Sequence, residues 1–104
     1  MLSPDRGDVW LADLGYAAKV RPCLVLSVPP DPQDRVLVSL VPHTTSVQGT
    51  RFEVPVPKRY LKAGAFDAQG LVTVARARLI RRLGKLQPAE LVLVEEAVKW
   101  WLGL

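Results

Sequence analysis

The alternation of apolar and polar residues predicts a chain built mainly from short β-strands. Strands are expected at residues 8–14, 22–28, 35–41, 51–56, 71–74 and 79–86. The first and fourth alternate with the period of two that a half-buried strand shows, whereas the second and third are nearly continuous apolar runs, typical of strands buried on both faces. Many short strands joined by turns rich in proline and glycine favour a small closed barrel.

The last part of the chain shows a different, helical period. Gln87-Pro88-Ala89-Glu90 is typical of a helix start, with proline at the first helical position and an acidic side chain in the first turn. We expect the helix to end near Leu102, with Gly103 as its stop. Apolar residues cover most of its circumference, so it needs partners on two sides. The barrel can cover one side and a second copy of the chain the other, which predicts a homodimer.

Length and composition indicate one globular domain over residues 1–104. The chain is 49% hydrophobic and 23% charged, as in folded rather than disordered proteins. Its first residues are polar and lack the basic and apolar blocks of a signal peptide, and no apolar stretch is long enough to cross a membrane. The single cysteine, Cys23, is expected to pack as a small apolar side chain. These features predict a cytoplasmic protein.

The net charge of +4 is concentrated in one part of the chain. Residues 58–85 carry eight basic side chains against Asp67 alone, whereas the segments on either side are slightly acidic. Such a block favours binding to a polyanion, although charge runs are often only solvated surface. The block does not distinguish RNA from DNA, or either from an acidic protein segment.

Arg21-Pro22 is the first candidate functional site. Proline lacks an amide hydrogen and suits the first residue of a strand, and it restricts the residue before it to extended geometry. Arg21 is therefore expected on stiff backbone at the rim of a sheet, where its planar guanidinium matches two phosphate oxygens. The alternative is an ordinary solvated arginine.

The segment Pro42-His43-Thr44-Thr45-Ser46 is the second candidate. Adjacent hydroxyl groups often only bond their own backbone, but here a hydroxyl and Arg21 could converge on one phosphate. His43, the only histidine, has an ordinary pKa suited to acid–base chemistry. We favour a structural role for it, because no partner stands at a fixed spacing.

Taken in order, these motifs resemble the MazF/PemK toxins, the ribonuclease halves of type II toxin–antitoxin pairs. The resemblance covers nearly the whole chain and is carried by RGDVW at 6–10, RP at 21–22, VPHTTS at 41–46, FEV at 52–54, TV at 73–74 and GKL at 84–86. It implies a mainly β, SH3-like (CcdB/PemK-type) barrel with a C-terminal helix, a homodimer, and cleavage of single-stranded RNA such as mRNA without a metal or other cofactor. It also implies an antitoxin whose acidic tail occupies the RNA groove.

The resemblance assigns roles to individual residues. Arg21 matches the family's key arginine and Thr45 its hydroxyl residue, with Thr44 as the alternative if the register shifts by one. His43 and Asp67 are accessory candidates. The side chains expected to contact RNA are Lys19, Arg76, Arg78, Arg81 and Arg82.

Two departures from the family pattern stand out, and a second class of function stays open. The loop before Arg21, residues 15–20, is shorter than the family's mobile loop, and an arginine found in some members near Asp67 and Gln69 is missing. The alternative function is a non-catalytic toxin resembling CcdB, which acts on gyrase through its C-terminal helix. Exposure of Trp100 and Trp101 would favour that alternative.

Overall fold

The computed structural model describes residues 3–15 and 19–104. Within them the chain forms seven strands followed by one α-helix. Their bounds are β1 (Asp8–Asp13), β2 (Val20–Val25), β3 (Leu37–Thr44), β4 (Glu53–Val54), β5 (Ala65–Asp67), β6 (Val72–Ala75), β7 (Leu79–Lys85) and α1 (Pro88–Leu102). Short 3₁₀ turns at Ala68–Gly70 and Arg76–Arg78 flank β6. The predicted mainly β fold with a C-terminal helix is confirmed.

The strands form an antiparallel sheet in the order β4-β5-β3-β2-β1-β7, and β6 pairs with β3 as well. The outer strands of this order, β4 and β7, do not pair with each other among the described strands. The sheet is therefore barrel-like but not closed, which corrects the expected closed barrel. Because β4 has only two residues, too few backbone groups are left at that edge to complete a ring.

Strand β2 begins earlier than the proline suggested. It runs from Val20, so Pro22 is its third residue and not its first. The reason is local: Pro22 has a paired neighbour on one side only, Leu11 of β1, because the pairing of β2 with β3 starts at Cys23, opposite Pro42. A proline at a ladder end costs no hydrogen bond.

Two other strands differ by two or more residues from their predicted bounds, and a further strand was not predicted. Strand β3 starts later and continues through Pro42 and His43 to Thr44. Pro42 is tolerated because β3 changes neighbours there, from β6, which pairs up to Leu40, to β5, which pairs from His43. The strand expected at 51–56 is reduced to the two residues of β4. Strand β5 was not predicted, because three residues are too few to show an alternation of apolar and polar side chains.

Two apolar clusters lie on opposite faces of the sheet. Leu24, on β2, belongs to the cluster that packs against α1, and its neighbours Cys23 and Val25 belong to the cluster on the other face. All three side chains are buried. The prediction of a strand buried on both faces is thus confirmed, as is the packing of Cys23 as a small apolar side chain.

Helix α1 has the predicted bounds and caps. Gln87 and Glu90 form a reciprocal capping box, in which the Gln87 amide donates to Glu90 Oε1 at 2.7 Å, and Gly103 ends the helix with φ of 72°. Only Val94, Ala97 and Val98 are buried. Trp100 and Trp101 remain about half exposed and rest edge-on against Phe52. No helix among residues 3–15 and 19–104 has the length and apolarity to cross a membrane.

Candidate active site

The register of β2 and β3 brings the two predicted site segments together. Cys23 lies opposite Pro42 and Leu24 opposite Val41 in this antiparallel pair. Just beyond the end of this ladder lie Arg21 on β2 and Thr44 on β3, and both side chains line the same two clefts. The sheet therefore brings together two segments separated by about twenty residues of sequence.

Two clefts meet at Arg21. The first, of about 390 Å³, is called here the basic cleft, and its cationic lining consists of Lys19, Arg21, Lys62 and Arg81. The second, of about 290 Å³, is called the polar cleft, because uncharged polar and acidic side chains make up most of its lining. Arg21, Thr44 and Ser46 line both. The guanidinium thus belongs to a continuous polar surface.

The two threonine hydroxyl groups of the second motif, those of Thr44 and Thr45, have different surroundings. Thr44 is the last residue of β3, and its Oγ1 accepts a hydrogen bond from the Ser46 amide at 3.0 Å. A hydroxyl that accepts one bond still has its own hydrogen to donate. Thr45 is exposed and lines the basic cleft. Both threonines therefore line the same cleft as Arg21.

His43 lies beneath this surface. Its side chain is only 4% exposed, and its ring meets that of Phe66 edge-on, with centroids 5.2 Å apart. Burial lowers the pKa of His43, which favours a neutral imidazole. It lines the basic cleft, so a packing role and a chemical role both remain compatible with its position.

Four of the five predicted RNA-binding side chains line two clefts that share Arg81. Lys19 and Arg81 line the basic cleft. Arg76, Arg81 and Arg82 line another cleft, of about 340 Å³, around Trp10. Arg78 lies 4.0 Å from an Asp13 carboxylate oxygen, at the limit of an ion pair. Arg81 therefore connects the basic cleft to the arginines around Trp10.

The backbone at Lys19 explains how the short loop delivers its cation. Lys19 has φ of 54°, in the left-handed region that few non-glycine residues adopt. Its amide donates to the Gly15 carbonyl at 2.6 Å, and its own carbonyl accepts from Leu14 at 2.9 Å. These bonds fix Lys19 at the start of β2, two residues before Arg21.

Two contributors to the basic cleft were missed in the sequence. Lys62 and Tyr60 come from the irregular segment before β5. The Tyr60 ring packs directly over Gly84 of β7, where a side-chain carbon would overlap it. The glycine of the GKL motif was a usable signal, because a glycine inside a strand often marks a close approach. Lys62 carried no signal beyond its charge.

Asp67 lies in the polar cleft and not among the cations. Its Oδ1 accepts from the Gln69 amide at 3.1 Å and so caps the 3₁₀ turn Ala68–Gly70. Across the β4–β5 pair it stands opposite Glu53. Glu53 accepts the backbone amides of Gln48 and Thr50, and these bonds lower the pKa of Glu53. Both carboxylates thus face the loop that follows Thr45.

Cys23 is not a nucleophile candidate. Burial raises the pKa of its thiol to about 12, although the charge of Arg21 acts in the opposite direction. A thiol with such a pKa stays protonated and unreactive at neutral pH. Among the described residues, no group of three or more histidine, cysteine or acidic side chains is arranged to hold a metal ion.

Comparison with known proteins identifies the family. A family model described as PemK-like, MazF-like toxin of type II toxin-antitoxin system matches residues 5–102. An endoribonuclease in complex with its cognate antitoxin from a mycobacterial species has a TM-score of 0.82 at 27% identity, over 98% of this chain and 97% of that one. MazF from Deinococcus radiodurans has a TM-score of 0.82 at 26% identity, over the full length of both chains.

A third solved structure, the Mycobacterium tuberculosis toxin MazF-mt6, has a TM-score of 0.79 at 26% identity, over 93% of this chain and 97% of that one. These similarities do not favour the alternative of a CcdB-like binder. The family model spans nearly the whole sequence. The chain therefore belongs to the PemK-like, MazF-like toxins of type II toxin–antitoxin systems.

Proposed function

We propose that this protein is a single-domain toxin that cleaves single-stranded RNA, including mRNA, as a metal-independent endoribonuclease. Arg21 is the phosphate-binding residue, and Thr45 donates a hydrogen bond to a non-bridging oxygen, with Thr44 as the alternative donor. The observation that carries the proposal is the convergence of Arg21 with both threonines on a surface lined by Lys19 and Arg81. Arg76, Arg78 and Arg82 extend the RNA contact beyond this surface.

The proposed reaction uses the substrate's own nucleophile. The 2′-oxygen attacks the adjacent phosphorus as it loses its proton, the bond from phosphorus to the 5′-oxygen breaks, and the leaving oxygen takes up a proton. The products are a 2′,3′-cyclic phosphate and a 5′-hydroxyl. Extra negative charge develops on the phosphorane, so donors fixed before the reaction stabilise the transition state more than the substrate.

The chemistry of arginine defines the role of Arg21. A guanidinium stays protonated at any ordinary pH, so Arg21 serves as a fixed cation and two-point donor and not as a proton carrier. Its place on β2, opposite Ala12 of β1, holds it without the entropy cost of ordering a loop. Water is proposed to carry the transferred protons, and His43 and Asp67 are the accessory positions whose variants test a direct part in that transfer.

The partners follow from the same assignment. The toxin is proposed to act in the cytoplasm, as a homodimer, and to be neutralised by a cognate antitoxin with an acidic segment. The exposed apolar residues of α1, such as Leu93 and Trp100, support the dimer. Antitoxin binding is supported by the complexes formed by the mycobacterial endoribonuclease and by MazF of Deinococcus radiodurans with MazE. The cationic lining of the basic cleft complements an acidic chain.

The test is digestion of a mixed RNA by the purified protein in EDTA, with the new ends mapped chemically. We expect discrete cuts that carry 5′-hydroxyl ends. The variant Arg21→Ala should reduce cleavage by at least about a hundredfold, the order of loss seen when one transition-state donor is removed. Arg35→Ala, at an exposed arginine outside both clefts, is the matched control and should cut normally. Intact RNA with the wild-type protein, or activity that requires a divalent metal, would overturn the proposal.

A further inference from the structure

We propose that the polar cleft beside Arg21 holds a nucleobase of the RNA next to the cut phosphate, and that it selects a base bearing an amino group. This inference rests on the proposed function and names the part of the site that sets its sequence preference. The side chains that would contact the base are Gln48, Asp67 and Gln69.

The first argument is continuity. Arg21, Thr44 and Ser46 line the polar cleft as well as the basic cleft. A phosphate bound by Arg21 therefore lies at the mouth of both, and the base attached to a neighbouring ribose can enter the polar one. Single-stranded RNA is usually recognised in this way, with unstacked bases hydrogen-bonded along their edges.

The second argument is that the cleft walls are held in place by bonds that leave their side chains available. The carboxylate of Glu53 accepts the amides of Gln48 at 2.9 Å and Thr50 at 2.6 Å, which fixes the loop of residues 46–50. Glu53 is thereby committed to the backbone. The bond to Gln48 uses its main-chain amide, so the side-chain amide of Gln48 is left to bond a ligand.

The opposite wall is equally fixed. An added side-chain carbon at Gly70 would come within 2.8 Å of Pro42 and 3.2 Å of Asp67 Oδ2, so only glycine lets this turn pack on β3. The Ala68 amide donates to the Phe52 carbonyl at 3.0 Å. Asp67 uses one oxygen to cap the turn through the Gln69 main-chain amide. A carboxylate has further lone pairs, so Asp67 can accept more hydrogen bonds.

The lining chemistry sets the preference. Asp67 is an acceptor only, and it pairs best with an N–H group on a base edge. Adenine, cytosine and guanine carry an exocyclic amino group whose hydrogens are open to the carboxylate. Uracil has one donor on its pairing edge, N3–H, and it lies between two carbonyl oxygens that repel a carboxylate. The glutamine amides both donate and accept, so they complete the pairing with the remaining edge atoms.

The experiment compares cut-site profiles, obtained by sequencing the ends of a random-sequence RNA digested with the wild-type protein and with Asp67→Asn. Asparagine preserves the capping oxygen but adds an N–H donor, so uracil becomes acceptable. We expect wild-type cuts to exclude uracil at one position beside the cut. Among the cuts made by Asp67→Asn this exclusion should weaken at least about tenfold. Gln69→Ala and Gln48→Ala should relax the same position.

Matched controls and outcomes separate this inference from the proposed function. Asp31→Asn and Gln33→Ala, at exposed positions outside the polar cleft, should leave the profile unchanged. The inference alone is overturned if the wild-type protein cleaves RNA and all three cleft variants give an unaltered cut-site profile. Loss of all cleavage in Asp67→Asn, with a normal melting temperature, would make Asp67 a catalytic group and also overturn it. If the wild-type protein cuts no RNA, both proposals fail.

Discussion

Asp8 and Arg82 form an ion pair across β1 and β7, with 3.2 Å between Asp8 Oδ1 and Arg82 Nη2. The carboxylate is almost fully buried, whereas the guanidinium is about half exposed. The other oxygen, Oδ2, accepts the Asp5 amide at 2.9 Å and the Trp10 indole N–H at 3.4 Å. Arg82 is thus the charge partner of a buried acid, in addition to any contact with RNA.

We therefore predict that Arg82→Gln lowers the free energy of unfolding, by about 1–3 kcal/mol. The reason is that a buried carboxylate left without its cation costs more than a lost surface contact, although the exposure of Arg82 reduces the effect. Arg81→Gln is the matched control, since Arg81 is an exposed neighbour that lines the basic cleft. Urea unfolding measures the loss of stability in Arg82→Gln, and an RNA-binding assay measures the loss of affinity in Arg81→Gln.

Arg81→Gln should weaken RNA binding and shift the urea midpoint little, while Arg82→Gln should shift the midpoint at an unchanged slope. The opposite pattern would contradict the assignment of Arg82 as the charge partner of Asp8. Equal stability of the two variants would show that the Asp8 carboxylate is adequately solvated without Arg82.

The sequence predicted the strands whose side chains alternate or run continuously apolar, because burial on one or both faces leaves that trace. It could not predict β5, whose three residues depend on pairing with His43 and Thr44 of β3. It also failed at Pro22, since whether a proline opens a strand depends on where the neighbouring ladder ends. Both features depend on pairing between strands that are distant in the sequence.

The site, too, contains residues that the sequence predicts and residues whose placement depends on the tertiary structure. The motifs indicated Arg21 and the threonines, because each residue type has a recognisable chemistry. The basic block gave charge but not position: the fold sends Arg78 towards Asp13 and Arg82 to Asp8. The polar cleft left no motif, because its walls come from three separate segments that meet only when β3, β4 and β5 pair.

His43 gives a prediction about pH. Burial lowers the pKa of His43 in the folded protein, so the folded state favours the neutral ring. This contribution to stability is complete above the unfolded pKa of about 6.5 and is lost as the pH falls from there towards the folded value. We expect the wild-type protein to lose stability as the pH falls below about 6.5, and His43→Gln to show a flatter profile there, as followed by urea unfolding at each pH.

Two features make this test specific. The carboxylates with lowered pKa values, Glu53 and Glu90, contribute stability that is lost only in more acidic solution, below their ordinary pKa, so they do not mimic the effect. The packing role of His43 also predicts that His43→Gln cleaves RNA within a few-fold of the wild-type rate. A loss close to that of Arg21→Ala would instead make His43 a catalytic residue.

The exposed side of α1 leads to a prediction about assembly. Leu93 and Trp100 are both more than half exposed, and they line a groove of about 730 Å³ between the helix and β4. Large apolar side chains clustered on one surface favour association. We predict that the wild-type protein is a dimer at micromolar concentration and that Leu93→Asp weakens the dimer at least about tenfold, since an aspartate would be buried without a partner at the interface.

Val28→Asp, at an exposed valine in a loop, is the control and should leave the dimer intact. Sedimentation equilibrium distinguishes the cases: a wild-type monomer would rule out the homodimer, and an unaffected Leu93→Asp dimer would place the interface elsewhere.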